Sequence, residues 1–157
     1  MIAQVRPAPT IQQLHAALLA SASATAVLDA LFGAPVTIRR LACDAPALSP
    51  TRYAHLQPTT AEPARHRRVM LFAAGRAVSQ ADLWYIPARL LPGMEAILRD
   101  TDTPFGAVVR PMHPARRCLA ARFCAPGEPF ALEHEALLVT AEGVPFALVS
   151  ERYLAVR

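Results

Sequence analysis

Arg67-Arg68-Val69-Met70-Leu71-Phe72, then Ala74-Gly75, then Ala77 to Pro87, is the stretch on which the fold turns. It reads as a strand that begins with arginine, a tight turn at Ala74-Gly75, and a returning strand. A two-residue turn fixes which residues face one another, and here it sets Arg67 directly across from Asp82. Beyond the hairpin, Leu91, Met94, Ile97 and Leu98 mark a short helix, with Pro92 in its first turn. Thr103-Pro104 has the form of an N-cap followed by proline at the first helical position, so a second short helix is expected to begin there.

Working towards the N-terminus, Val36 to Ala42 reads as a strand, with β-branched Val36, Thr37 and Ile38. Two helices precede it. Thr10 caps the first, whose face is Ile11, Leu14, Leu18 and Leu19. Ser23 or Thr25 caps the second, which carries Val27, Leu28, Leu31 and Phe32 and stops at Gly33. Cys43 to Ala64 is rich in Pro, Ser and Thr and has no clear period, so it is expected to be a long loop or flap over residues 43–64. Towards the C-terminus, Arg116 to Cys124 is a further strand. A closing hairpin pairs Ala131–Ala141 with Val144–Val156 around Glu142-Gly143. That turn sets His134 across from Glu151 and Glu133 across from Arg152, the latter pair at the surface. Six strands joined mostly by tight turns predict an α+β fold, a six-stranded and mainly antiparallel sheet with helices on one face.

A chain of 157 residues suits one domain, residues 1–157. Apolar residues make up 54%, yet no run is long and uncharged enough to span a bilayer. Met1 to Pro9 does not read as a secretory signal, so a cytoplasmic location is expected. Cys43, Cys118 and Cys124 are an odd count without a CxxC pair, which argues against a disulfide framework or a zinc site and for reduced, mostly buried thiols. The net charge of +4 comes from arginines in scattered doublets, with no basic helix or aromatic-interleaved stretch of the kind that reads nucleic acid. No metal-ligand spacing and no glycine-rich phosphate loop occurs, so no cofactor and no metal is expected. A monomer is favoured over an oligomer.

The arginine-led strand, its hairpin and the Thr103-Pro104-Phe105-Gly106 step resemble the chorismate lyase family, along nearly the whole chain. The resemblance implies the same antiparallel fold and a cofactor-free lyase that cleaves chorismate to 4-hydroxybenzoate and pyruvate. In that family an arginine opening the second strand grips the ring carboxylate, and Arg67 matches it. Backbone amides at two helix starts serve the same carboxylate, which implies those of Ala24 and Phe105. A glutamate on the last strand meets the ring hydroxyl and assists the proton's departure, and Glu151 matches it. Arg67 and Glu151 are thus the implied catalytic residues. The enolpyruvyl carboxylate needs a second cation, for which His134 or a loop arginine is taken. One departure concerns Asp82, an acid placed to neutralise Arg67. The alternatives are a non-catalytic domain of this fold that binds small aromatic acids, as effector-sensing domains of some bacterial regulators do, or a lyase-fold enzyme with an altered product. The segment before the fold is too short for a winged-helix DNA reader.

Overall fold

The computed structural model describes residues 8–154. Helices α1 (Ile11–Ala20) and α2 (Ala24–Phe32) are followed by β1 (Thr37–Leu41), α3 (Pro50–Leu56), β2 (Arg65–Ala73) and β3 (Arg76–Tyr85). After them come α4 (Met94–Asp100), α5 (Phe105–Val109), β4 (Ala115–Phe123), β5 (Phe130–Val139) and β6 (Pro145–Leu154). The strands form one six-stranded sheet in the order β1-β2-β3-β6-β5-β4. All neighbours run antiparallel, as expected from the succession of hairpins. The expected end of the last strand, at Val156, lies outside the described residues.

Both N-terminal helices start where a side-chain oxygen can take an unpaired backbone N–H. Thr10 Oγ1 accepts from the Gln13 amide at 3.1 Å while Gln13 Oε1 takes the Thr10 amide at 2.8 Å, a reciprocal cap. Ser23 Oγ accepts from the Ala26 amide, and Gly33 ends α2 at φ 66°. Leu14, Leu18, Val27, Leu28, Met94, Leu98, Val108 and Val109 of α1, α2, α4 and α5 bury themselves against Val69, Leu71, Ala81 and Leu83 of the sheet.

Residues 43–64 are not the continuous loop that their composition predicts. Ser49 caps α3 and Pro50 opens it. Seven residues are too few to show a helical period, and the Ser-Pro start was the one available signal. This helix lies on the other face of the sheet, where Leu56 joins Trp84, Ile86, Leu137, Val139 and Leu148 in a second buried cluster. Arg52 fixes it there, stacking 4.8 Å from the Trp84 ring and pairing with Glu135 at 2.9 Å. The α5 start also differs from expectation: Pro104, not Thr103, occupies the cap position, without a side-chain cap. Cys43 and Cys118 are exposed rather than buried, because β4 is an edge strand with few covered positions and Cys43 follows the other edge strand. No helix among the described residues is long and apolar enough to cross a membrane.

The two hairpins reach their registers differently. At Ala74-Gly75 both turn residues have positive φ, 50° and 75°, and the turn is the two-residue one expected. Val78 is then an extra residue on β3: Phe72 faces Ala77, but Leu71 faces Ser79. Every later pair slips by one, so Arg67 faces Leu83 and Asp82 faces Arg68. In the second hairpin Thr140 and Val144 close a three-residue turn, with their N–H and C=O groups 2.8 Å apart. Phe146 is then the extra residue, since Leu138 faces Ala147 while Val139 faces Pro145. The two offsets cancel, and His134 faces Glu151 as the turn predicted.

Candidate functional site

Between the sheet and the starts of α2 and α5 lies a cavity of about 370 Å³. That is near the lower end of the roughly 300–1,000 Å³ usual for small-molecule sites. Ile38, Val69, Leu71, Leu83, Leu138 and Val149 give it apolar walls, and its charged lining residues are Arg67, Arg110, Arg116 and Glu151.

Arg67 is only 7% exposed. Its Nη1 and Nη2 donate to the carbonyls of Thr103 and Thr101, both at 3.1 Å, which aims the guanidinium with the segment between α4 and α5. Nε is buried and meets no acceptor. Among the described residues no carboxylate stands within ion-pair distance of it. Burial, and then the neighbouring Arg40, lower its pKa against the smaller opposing pull of Tyr85 and Asp102. The Asp82 expected opposite it is elsewhere. The bulge at Val78 turns Asp82 to the opposite face, where it takes hydrogen bonds from Arg68 and His66, each at 2.7 Å. Burial alone would raise the Asp82 pKa, but these two partners outweigh it and hold the carboxyl below its ordinary range.

The starts of α2, from Ala22 to Thr25, and of α5, Pro104-Phe105-Gly106, border the same cavity. They approach so closely that a Cβ on Gly106 would stand 3.0 Å from Thr25 Oγ1 and 3.3 Å from Ser23 Oγ. Gly106→Ala is therefore expected to cost about 1–3 kcal/mol, as overpacking does. Thr25→Ala, by removing Oγ1, should restore part of that in the double variant. Denaturant titration of the three variants checks this, and a neutral Gly106→Ala would show that the two helix starts are free to separate.

Glu151 is 5% exposed. Its Oε1 and Oε2 accept from Arg116 Nη1 at 3.1 Å and Nη2 at 3.2 Å, and the Tyr153 hydroxyl donates to Oε2. Burial disfavours the Arg116 charge, but Glu151 and then Tyr153 more than offset it and raise its pKa. Burial, and then Glu151, push the Tyr153 hydroxyl well above its ordinary pKa, so it remains a donor. A carboxylate offers about four lone-pair directions, and three are taken here. What remains suits Glu151 to accept one more hydrogen bond.

The fold thus brings Arg67, Ala24, Phe105 and Glu151 to one cavity, and leaves His134 out of it. Although opposite Glu151, His134 bonds through Nε2 to His15 Nδ1 at 2.8 Å and is buried beneath α1. It lines no part of the cavity, and burial lowers its pKa. Glu133, opposite Arg152, pairs instead with Arg122 at 3.2 Å, and Arg152 reaches Asp82. The cations that sequence reasoning missed are Arg116 and Arg110. Arg116-Arg117 opens a strand just as Arg67-Arg68 does, and that parallel was the available signal. Among the described residues no three His, Cys, Asp or Glu side chains are grouped to hold a metal ion.

Over 97% of this chain and 76% of the relative's length, the sequence is 33% identical to the uncharacterized protein y4mC of Sinorhizobium fredii. The chain belongs to the y4mC family. No general family model matches it. Among solved structures, the y4mC-family fold resembles the effector domain of PhnF from Mycobacterium smegmatis, with a TM-score of 0.60 and 14% identity over 85% of this chain and 89% of that one. It also resembles the ligand-binding domain of a GntR-family regulator from Bordetella bronchiseptica, with a TM-score of 0.54 and 16% identity over 76% and 84% of the two chains. YydK from Bacillus subtilis, described as a possible transcriptional regulator, gives 0.52 and 14% identity over 78% of this chain. The chain spans about 61% of YydK. At such identities these likenesses establish a shared fold, that of GntR-family effector domains.

Proposed function

We propose that this y4mC-family chain is a binding domain for a small aromatic carboxylate. The observation that carries the reading is Arg67: a buried guanidinium in a largely apolar cavity that, among the described residues, is hydrogen-bonded only to backbone carbonyls and has no carboxylate within ion-pair distance. A ligand carboxylate there would compensate the charge and take the Nε–H, and the amides at the α2 and α5 starts, Ala24 and Phe105, would add N–H donors. The ring would lie against Val69, Leu83 and Val149, and a ring hydroxyl would donate to Glu151. The likeness to effector and ligand-binding domains supports binding as the role of the cavity.

A second reading, cleavage of chorismate to 4-hydroxybenzoate and pyruvate with Glu151 handling the proton, is favoured by one observation: the residues implied by the resemblance converge, His134 excepted. Against it stands the environment of Glu151, which accepts two hydrogen bonds from Arg116 and one from Tyr153 and is thereby held as an acceptor. Calorimetric titration separates hydroxyl recognition from simple ring binding. 4-Hydroxybenzoate is expected to bind about tenfold or more tightly than benzoate, since a hydrogen bond to a charged group contributes about 1.5–3 kcal/mol. Incubation with chorismate is expected to release no pyruvate. Catalytic pyruvate release would establish the second reading in place of the first, and failure of both acids to bind would remove the first.

A further inference from the structure

The sheet sets two of the arginine doublets side by side. β1 lies along β2 with Arg40 opposite Val69 and Leu41 opposite Arg68, so Arg39-Arg40 and Arg67-Arg68 share one corner of the sheet. Arg65 opens β2 next to them, and Arg99 comes from α4. These six arginines line an open basin of about 630 Å³ outside the cavity, with Asp102 as the one carboxylate among the described residues of its wall. Asp102 pairs with Arg40 at 2.9 Å. From outside the basin Asp82 pairs with Arg68 at 2.7 Å, Glu95 with Arg65 at 3.2 Å and Asp100 with Arg99 at 3.0 Å. Six cations against four carboxylates leave Arg39 and Arg67 in excess. Arg39 is exposed and stacks 5.4 Å from the Phe72 ring, and among the described residues no carboxylate stands within ion-pair distance of it. The arginines of three pairs, Arg40, Arg65 and Arg99, are themselves exposed, and exposed pairs open at little cost. The basin is thus able to turn several guanidinium groups towards a ligand.

Arg67 lines both the basin and the cavity. An anion held in the basin therefore stands beside the guanidinium that faces the cavity, and its charge opposes a carboxylate brought to Arg67 from the other side. Charge in the basin is already felt there: after burial, Arg40 is what most disfavours the charged form of Arg67.

We propose that the basin is a second, separate ligand site, for a compact oxyanion of the phosphate class, and that its occupation weakens carboxylate binding in the cavity. The site stands on the arginine cluster; the coupling rests on the reading of the cavity as an aromatic-carboxylate site. Planar guanidinium forks match phosphate oxygens two at a time, and several of them around one basin suit an anion of more than one charge. Coupling between two sites is reciprocal, so a carboxylate in the cavity weakens the oxyanion by the same factor.

Inorganic phosphate, titrated calorimetrically at low salt and about pH 8, where it is mostly a dianion, is expected to bind wild type saturably, one per chain. The double variant Arg39→Gln with Arg99→Gln changes two exposed positions outside the cavity and should weaken phosphate about tenfold or more. Saturating phosphate should weaken 4-hydroxybenzoate about threefold or more in wild type, relative to sodium chloride at the same ionic strength. The same phosphate concentration should do no more than chloride does in the double variant. Absence of saturable phosphate binding, or equal binding by wild type and variant, would overturn the site. Phosphate binding with no effect on 4-hydroxybenzoate, or with an equal effect in both proteins, would overturn the coupling, the latter by placing phosphate in the cavity itself. A DNA oligonucleotide that binds where free phosphate does not would overturn the small-anion site and make the basin a nucleic-acid surface. If 4-hydroxybenzoate does not bind at all, the carboxylate reading and the coupling fall together, while the phosphate isotherms still decide the basin.

Discussion

Arg116→Ala is expected to lower the stability of the domain by about 3–5 kcal/mol, because it strands the Glu151 charge in a buried site. The total stability of a domain is about 5–15 kcal/mol, so the loss takes a large fraction of it. The pair is held by two nearly equal hydrogen bonds, at 3.1 and 3.2 Å, in the fork geometry that arginine alone provides. Lysine at position 116 should recover less than half of the loss, since it offers a point charge in place of the fork. Replacing both partners, Arg116→Leu with Glu151→Leu, should recover much of it, because removing both charges leaves neither uncompensated. Urea unfolding followed by circular dichroism measures all three. A drop below about 1 kcal/mol in Arg116→Ala would mean that water reaches Glu151, and the fixed-acceptor role assigned to it would fall.

The second large effect is on binding. Arg67→Ala should weaken 4-hydroxybenzoate by about 10- to 150-fold, the equivalent of about 1.5–3 kcal/mol for a charged hydrogen-bonding contact. Its effect on stability is unlike that of Arg116→Ala. Among the described residues Arg67 has no carboxylate within ion-pair distance, so its removal relieves a buried charge while losing two hydrogen bonds to the Thr101 and Thr103 carbonyls. Stability should therefore change little. Lysine in its place should restore binding only in part, lacking the planar fork. An Arg67→Ala domain that folds normally and binds 4-hydroxybenzoate as wild type does would reduce Arg67 to a tether for the α4–α5 segment. Measuring affinity and unfolding on the same protein keeps those two roles apart.

Much of this protein was legible in the chain because local chemistry decided it. Thr10 and Ser23 cap the helices that they were expected to cap, since a side-chain oxygen three residues before an unpaired N–H needs no tertiary partner to act. Ala74-Gly75 makes the two-residue turn expected there, the Glu142-Gly143 turn is one residue longer than expected, and antiparallel hairpins laid side by side yield the sheet. The positions of Arg67 and Glu151 on the covered face follow from alternation along their strands. Tertiary structure alone decided the rest. A bulge has no reliable sequence signature, yet the one at Val78 moved Asp82 from Arg67 to Arg68 and so left Arg67 without that acid. The choice of Arg116 over His134 as the partner of Glu151 depended on how β4 lies against β5 and on α1 drawing His134 to His15. Which buried charges pair and which stay open to a ligand is set by distances between segments remote in sequence, and no local rule fixes those distances.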